Sequence, residues 1–276
     1  MDKQGYIDFN LMLSPDKSGK ADSYARAIAI LEEVLKYQNV IKLNGQSLYE
    51  ISDIGTIKAL EDLVKVEVKK MKNNEKSIFD YGRPNQRSYP LKNFCSAALR
   101  SLKEYIQYEH DMNAADAIVA RKHNPQDISK CLIKHFDISK EGSDVLSLAK
   151  HRKGQNYFRH MVLTNYGGRC ALTGIDIPQL LLASHIIPWT DNKEERLNPC
   201  NGICLSALYD RAFDQGLIGF DSNYHTILSI RIKENEGKEY YDKYFAPIAN
   251  KELTMPSIYK PDIRFLEWHM DEIFLR

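Results

Sequence analysis

The chain has 276 residues, of which 43% are hydrophobic and 27% charged, which is enough to bury the cores of two domains. Its formal net charge is +1, so a nucleic-acid surface would require local segregation of charge. No stretch approaches the ~20 uninterrupted apolar residues of a membrane span, and the N-terminus lacks an apolar signal region. The five scattered cysteines favour reduced thiols. We therefore expect a cytoplasmic protein without membrane contact.

Apolar residues recur at helical spacing in three segments of the N-terminal half. These segments run from Asp22 to Tyr37, from Thr56 to Met71 and from Asn93 to Tyr108. Turn-forming residues between the second and third segments predict a loop from Asp80 to Pro90. The pattern predicts a helical domain over residues 1–140.

Positive charge is concentrated in part of this half. Residues 58–103 contain eleven Lys or Arg against five Asp or Glu. Arg83 and Arg87 lie in the loop beside tyrosines, a mixture suited to phosphates and to base stacking, and Lys69 and Lys70 close the second helix. The alternative is that these charges form the solvated faces of ordinary helices.

The helical pattern breaks up over residues 136–154, where we place the junction to a second domain, residues 150–276. A short helix from Gln155 to Tyr166 is followed by a glycine turn and by an apolar run ended by Pro188, which predicts a buried strand. A polar loop, a helix from Leu205 to Phe213 and a hairpin around residues 221–224 complete the domain. The fold class is therefore α+β.

Residues suited to phosphodiester hydrolysis follow one another within some thirty positions of this domain. His185 ends the predicted strand, Asn201 lies in the next loop, and Asp210 and Asp214 are four residues apart on one face of the next helix. A histidine can take a proton from water, and carboxylates can hold a cation that neutralises phosphate charge. Taken singly, a strand-end histidine is more often structural, and the aspartates can instead bind Arg211, Arg196 or a backbone turn.

The ordered set resembles a known family. The segments RCALTG, ASHIIPW and NPCNGICLSALYDRAFDQGLIGFD together resemble the HNH (ββα-metal) endonuclease domain of restriction and phage-defence nucleases. The flanks GQNYFRHMVLTNY and FLEWHMDEIF extend the likeness over about residues 153–274. The resemblance implies a fold of two strands and a helix that binds one divalent metal and lies edge-on against the DNA minor groove. By position, it makes His185 the general base and Asn201 the middle residue of H-N-H.

The sequence departs from the family pattern at two positions. Many relatives carry Asp or His immediately before the base, where this chain has Ser184. Many also carry a histidine on the helix, where this chain has Tyr209. We therefore expect the metal, Mg²⁺ or alternatively Mn²⁺, to be bound by Asp214 and Asp210 with Asn201 and Ser184.

Many members of the family also hold a structural zinc with two CxxC pairs. The first pair is broken here after Cys170, and Cys200 and Cys204 have a different spacing. We do not expect a structural zinc, and we expect Cys170 and Cys204 to pack in the core.

A fainter resemblance covers the N-terminal half. The segments SYARAIAILEEVL, SLYEISDIGTIKALEDLV and NFCSAALRSLKEYIQYE resemble the helical module found ahead of nuclease or GTPase domains in restriction systems. It implies a DNA-binding or specificity module that uses Arg83, Arg87, Lys69 and Lys70, with Arg211 as a DNA contact of the nuclease domain.

Together these features predict a divalent-metal-dependent endonuclease that acts on double-stranded DNA in restriction or phage defence. Cleavage of both strands by one site per chain suggests a homodimer. Two alternatives remain at this point. One is a DNA-binding module whose HNH centre has decayed, and the other is a non-specific nuclease that kills the infected cell.

Overall fold

The structure is a computed structural model that describes residues 1–13, 19–38, 45–81, 87–139 and 145–276. Helices dominate the N-terminal half, and two small antiparallel sheets lie in the C-terminal half, so the α+β class is confirmed. The helices are α1 (Lys3–Leu13), α2 (Lys20–Gln38), α3 (Ile54–Lys72), α4 (Ser88–Leu91), α5 (Phe94–Arg121), α6 (Pro125–Phe136), α7 (Val145–Asn165), α8 (Ala207–Asp214), α9 (Ile230–Lys233), α10 (Glu239–Tyr244) and α11 (Ile263–Glu272). The strands are β1 (Leu181–His185), β2 (Gly202–Ser206), β3 (Ile218–Phe220) and β4 (Thr226–Leu228).

The chain divides into two compact units, residues 1–113 and 114–276. The division falls within α5, whereas the composition of the sequence places the junction near residues 140–150. A long helix that continues from one unit into the next shows no break in its apolar spacing, so the sequence pattern does not mark this boundary.

The first unit has a helical core. The apolar faces of α2, α3 and α5 supply most of its buried side chains, and the three helices predicted here are confirmed. Asp53 caps α3 by accepting hydrogen bonds from the backbone N–H groups of Gly55 and Thr56. Helix α2 begins at Lys20, two residues before the predicted segment.

The second unit is organised around the β1–β2 pair. β1 and β2 are antiparallel, with Ser184 opposite Ile203 and His185 opposite Gly202. A side chain at Gly202 would meet Phe158 and Val162 of α7 at 2.8 and 2.5 Å, so glycine allows α7 to pack on the sheet. β2 was not predicted as a strand from its own residues; they are all buried and show no alternation of polar and apolar positions.

The connection after α8 is a short antiparallel hairpin of β3 and β4, as predicted. Helix α11 closes on β3, where Gly219 leaves room for the side chains of Met270 and Phe274. In the part of the chain that the structure describes, no helix combines the length and the apolar character that a membrane crossing requires.

Candidate functional site

A cavity of about 490 Å³ lies beside the end of β1 and the exposed side of α8. Its lining combines residues predicted from the sequence with others that were not, namely Leu182, Ala183, Ser184, His185, Pro188, Trp189, Asp210, Arg211, Asp214, Gln215, His269 and Ile273. The structure therefore brings the predicted base and the two helix carboxylates to one cavity.

The ring of His185 is held from three sides. It stacks on Phe158 with ring centroids 3.7 Å apart and an interplanar angle of 13°, and it meets the edge of Trp189 at 5.7 Å. Its Nε2 lies 3.0 Å from the backbone carbonyl oxygen of Arg196. Because a carbonyl oxygen can only accept, Nε2 carries the proton of the neutral ring, and Nδ1 keeps its lone pair.

Burial lowers the pKa of His185 from its ordinary value of 6.5 to about 4, and the positive charge of Arg196 acts in the same direction. The hydrogen bond to the Arg196 carbonyl opposes this shift only in part. The imidazole is therefore neutral at physiological pH, which is the state in which a histidine can accept a proton.

Arg196 supports the loop that carries this carbonyl group. Its side chain is 2% exposed, and Nε donates to the backbone oxygen of Trp189 at 2.8 Å. The guanidinium also lies 5.1 Å from the centroid of the Trp189 ring. These contacts connect the loop to the tryptophan that flanks His185. Arg196 therefore holds the loop and Trp189 in place beside His185. No motif or spacing in the sequence indicates this role of Arg196.

Asn201 lies behind the site, where its side chain joins the two ends of the β1–β2 connection. Its Oδ1 accepts from the backbone N–H of Ile187 at 2.8 Å, and its Nδ2 donates to the carbonyl oxygens of Ile187 and Glu195, both at 3.1 Å. The residue is 1% exposed and does not line the cavity described above. Its contacts fit a positioning residue and give no support to the expectation that it binds metal.

The predicted carboxylates lie on α8. Asp210 accepts a hydrogen bond of 2.6 Å from the hydroxyl of the buried Ser184. Partial burial raises the pKa of Asp214, the negative charge of Asp210 raises it further, and Arg211 opposes both effects. A carboxylate whose ionisation is made more costly by a second carboxylate beside it is a favourable place for a cation.

The donor set suits a hard divalent ion with few protein ligands. Among the described residues, no group of three or more His, Cys, Asp or Glu side chains is arranged to hold a metal ion. Mg²⁺ is often bound through one or two carboxylates, while waters and substrate phosphate complete its shell. Asp210 and Asp214 fit that pattern, and Ser184 orients Asp210 through its hydroxyl group.

Tyr209, at the position of the missing helix histidine, lies in the core. Its hydroxyl donates to the backbone oxygen of Tyr244 at 2.6 Å, and only 7% of the residue is exposed. The expected core packing of Cys170 and Cys204 is confirmed, since they are 1% and 0% exposed. Burial raises the pKa of the Cys204 thiol to about 12, which keeps it protonated.

The predicted DNA-binding residues are distributed over both units. Lys69 and Lys70 end α3 in the first unit, where Lys70 pairs with Glu67 at 2.7 Å. Arg87 of the same unit lies 3.2 Å from Asp80, and Arg83 lies outside the described residues. Arg211 belongs to the second unit and lines the cavity.

His269 of α11 also lines the cavity, although it is not among the site residues predicted from the sequence. It lies in the FLEWHMDEIF segment, far from the other site residues in sequence. Only the resemblance of this segment to a nuclease flank could have drawn attention to it.

Two antiparallel strands followed by a helix, with a histidine at the strand end and carboxylates on the helix, define the ββα-metal class of nuclease centre. Residues 170–221 match the family model described as HNH endonuclease. This segment of the chain is therefore similar to HNH endonucleases. No curated protein matches the chain.

Proposed function

We propose that this protein is a divalent-metal-dependent endonuclease that hydrolyses double-stranded DNA in restriction or phage defence. The observation that carries the proposal is the placement of a neutral His185 in one cavity with Asp210 and Asp214. The HNH match of the same segment supports nuclease chemistry.

His185 acts as the general base in this proposal. Its Nε2–H is engaged by the Arg196 carbonyl, so Nδ1 is the atom that takes the proton from the attacking water. Stacking on Phe158 fixes the plane of the ring, and this fixed orientation reduces the cost of reaching the reactive geometry.

Asp210 and Asp214 would hold the metal, Mg²⁺ or Mn²⁺. When bound, the ion supplies positive charge that stabilises the phosphate and the departing 3′ oxygen. Ser184 keeps Asp210 oriented, and Asn201 keeps the loop closed behind His185. Hydrolysis of this kind leaves 5′-phosphate and 3′-hydroxyl ends.

The surface around His185 offers contacts for the DNA strand. A second groove shares His185 and Trp189 with the cavity and is also lined by Gln155, Asn156 and Arg159. Amide and guanidinium groups donate hydrogen bonds to phosphate oxygens. We assign contacts with the DNA backbone to this groove and to Arg211.

The N-terminal helical module is proposed to select where the protein binds, with Lys69, Lys70, Arg83 and Arg87 as phosphate contacts. Because DNA has two equivalent strands and each chain has one site, the acting species is proposed to be a homodimer. Each phosphate contact that is lost should reduce the slope of the logarithm of the binding constant against the logarithm of the salt concentration by about one.

The test is cleavage of supercoiled plasmid by the full chain with Mg²⁺ or Mn²⁺, with and without EDTA. The proposal predicts nicked or linear product that disappears when EDTA is present, with 5′-phosphate ends on mapping. Parallel digestion of modified and unmodified genomic DNA tests the defence role, and scattered cut positions would indicate a non-specific nuclease. Intact plasmid with every divalent ion would contradict the proposal.

The second candidate is a DNA-binding module with an inactive centre. The specific observation in its favour is Tyr209, whose hydroxyl is committed to Tyr244 where relatives carry a histidine. This candidate predicts retention of DNA in a gel shift together with no cleavage under any divalent ion.

A further inference from the structure

Helix α11 contributes a second buried histidine to the cavity. His269 is 1% exposed, and its ring stacks on Phe213 of α8 with centroids 3.8 Å apart and an interplanar angle of 5°. Its Nε2 lies 3.1 Å from the backbone oxygen of Phe213. The oxygen can only accept, so Nε2 carries the proton.

The other ring nitrogen of His269 therefore has a free lone pair. Nδ1 is buried and has no hydrogen-bond partner among the described residues. Burial lowers the pKa of His269 to about 4, so the ring does not satisfy Nδ1 by binding a proton at neutral pH. A buried acceptor without a partner is unfavourable, and a native structure normally supplies it with a donor.

The other polar side chains of the cavity indicate which kind of donor Nδ1 of His269 requires. Asp210, Asp214 and His269 line one cavity, and the two carboxylates and the unprotonated ring nitrogen can each accept a hydrogen bond. No three such side chains among the described residues are arranged around one ion position. A water in the hydration shell of the ion can bridge the remaining gap.

We propose that His269 is a positioning residue of the metal site and that its Nδ1 accepts a hydrogen bond from a water of the ion that Asp210 and Asp214 hold. The inference rests on the proposed metal-dependent function. In this arrangement a histidine from outside the HNH segment supports the ion where the helix histidine is absent. Such outer partners typically contribute about 10- to 100-fold to metal affinity or activity.

Two substitutions separate this role from a purely structural one. His269→Gln can place an amide N–H near the Phe213 carbonyl but leaves no acceptor at the Nδ1 position. His269→Asn can place an amide oxygen near the Nδ1 position but loses the donor to Phe213. The exposed His123, which does not line the cavity, provides the matched control His123→Gln.

The experiment is calorimetric titration of Mn²⁺ into the full chain of each variant, with thermal unfolding without metal as a second readout. We expect His269→Gln to bind Mn²⁺ about 10- to 100-fold more weakly while it keeps most of its thermal stability. We expect His269→Asn to unfold at a lower temperature but to lose less affinity than the Gln variant. His123→Gln should match wild type in both.

Equal Mn²⁺ affinity in His269→Gln and wild type would overturn the proposal, as would the absence of Mn²⁺ binding by wild type. Wild-type Mn²⁺ affinity in His269→Gln together with weaker affinity in His269→Asn would assign His269 a structural role only. This result would also overturn the proposal. A protein that shows the expected pattern of affinities but leaves plasmid intact would refute the proposed nuclease function alone.

Discussion

His185 and Asn201 differ in how far the sequence specifies their roles. The end of an apolar run before Pro188 places a histidine at a strand terminus, and this position is correct. Its orientation depends on the Arg196 carbonyl and on Phe158, groups that come from a loop and from α7. Such tertiary contacts leave no spacing signal, so the sequence predicts the position of His185 but not the groups that hold its ring.

Asn201 gives a prediction at this scale. Replacing Asn201 with Ala leaves the N–H and carbonyl of Ile187 without their side-chain partners in a buried position. We expect a loss of about 2–4 kcal/mol in the free energy of unfolding, because buried unpaired groups each cost about 1–3 kcal/mol. Denaturant unfolding measures this change.

The matched control is Asn192→Ala. Asn192 belongs to the same connection, is only partly buried, and accepts a single hydrogen bond from the Glu194 N–H. The free energy of unfolding of Asn192→Ala should fall by about 1 kcal/mol or less. Equal destabilisation by the two variants would show that Asn201 does not hold the connection together.

At the scale of elements, the helix was easier to predict than the strand beside it. The four-residue spacing of Asp210 and Asp214 predicts a shared helical face, and α8 carries both to the cavity. The strand β2 has no polar face because α7 and α8 cover it, and residues 205–206 were assigned to the helix instead. His269 was missed because α11 is far from the other site residues in sequence, and its packing on β3 and α8 leaves no sequence signal.

The carboxylate pair on α8 makes a second prediction. Asp214→Asn removes a carboxyl group whose pKa is raised by burial and by the negative charge of Asp210. We expect Mn²⁺ affinity to fall by at least about 10-fold, while thermal stability without metal stays the same or rises, because the repulsion is removed. Calorimetry and thermal unfolding measure the two effects.

Asp176→Asn is the control for this prediction. Asp176 is exposed, lies outside the cavity and pairs with Arg169 at 3.8 Å. It should leave Mn²⁺ affinity unchanged. Wild-type affinity in Asp214→Asn would remove that carboxylate from the metal site.

For the whole molecule, the sequence predicts the class and the order of the parts better than the boundary. Helical periodicity and the HNH-like segments indicate an all-helical half followed by an α+β half, as observed. The compact units, however, divide within the 28-residue α5. Contacts distant in sequence decide which residues share a core, and local pattern carries no information on them.

Stability should depend on pH through the two cavity histidines. Burial lowers the pKa of His185 and of His269 to about 4 in the folded chain, against an ordinary value of 6.5. Between these values the unfolded chain binds protons that the folded chain does not. The contribution of the two histidines to the free energy of unfolding is therefore fully present above about pH 6.5. It falls as the pH drops towards 4, by at most about 3 kcal/mol for each histidine.

The measurement is thermal unfolding from pH 8 to pH 4 for wild type and His269→Gln. Removal of one titrating group should make the drop in unfolding temperature over this window smaller than in wild type. Other titrating groups contribute equally to both proteins and cancel in the comparison. Parallel curves for the two proteins would contradict the lowered pKa of His269.

The central claim is that the Nδ1 atom of His185 takes the proton from water, and His185→Gln tests it most directly. Glutamine can keep a donor towards the Arg196 carbonyl but offers no basic nitrogen. The measurement is the rate of plasmid cleavage by wild type, His185→Gln and the control His123→Gln under saturating Mn²⁺. We predict a loss of about 10²- to 10⁴-fold in His185→Gln alone, with Mn²⁺ binding retained. Cleavage by His185→Gln at a rate close to that of wild type would contradict the assignment of His185 as the base.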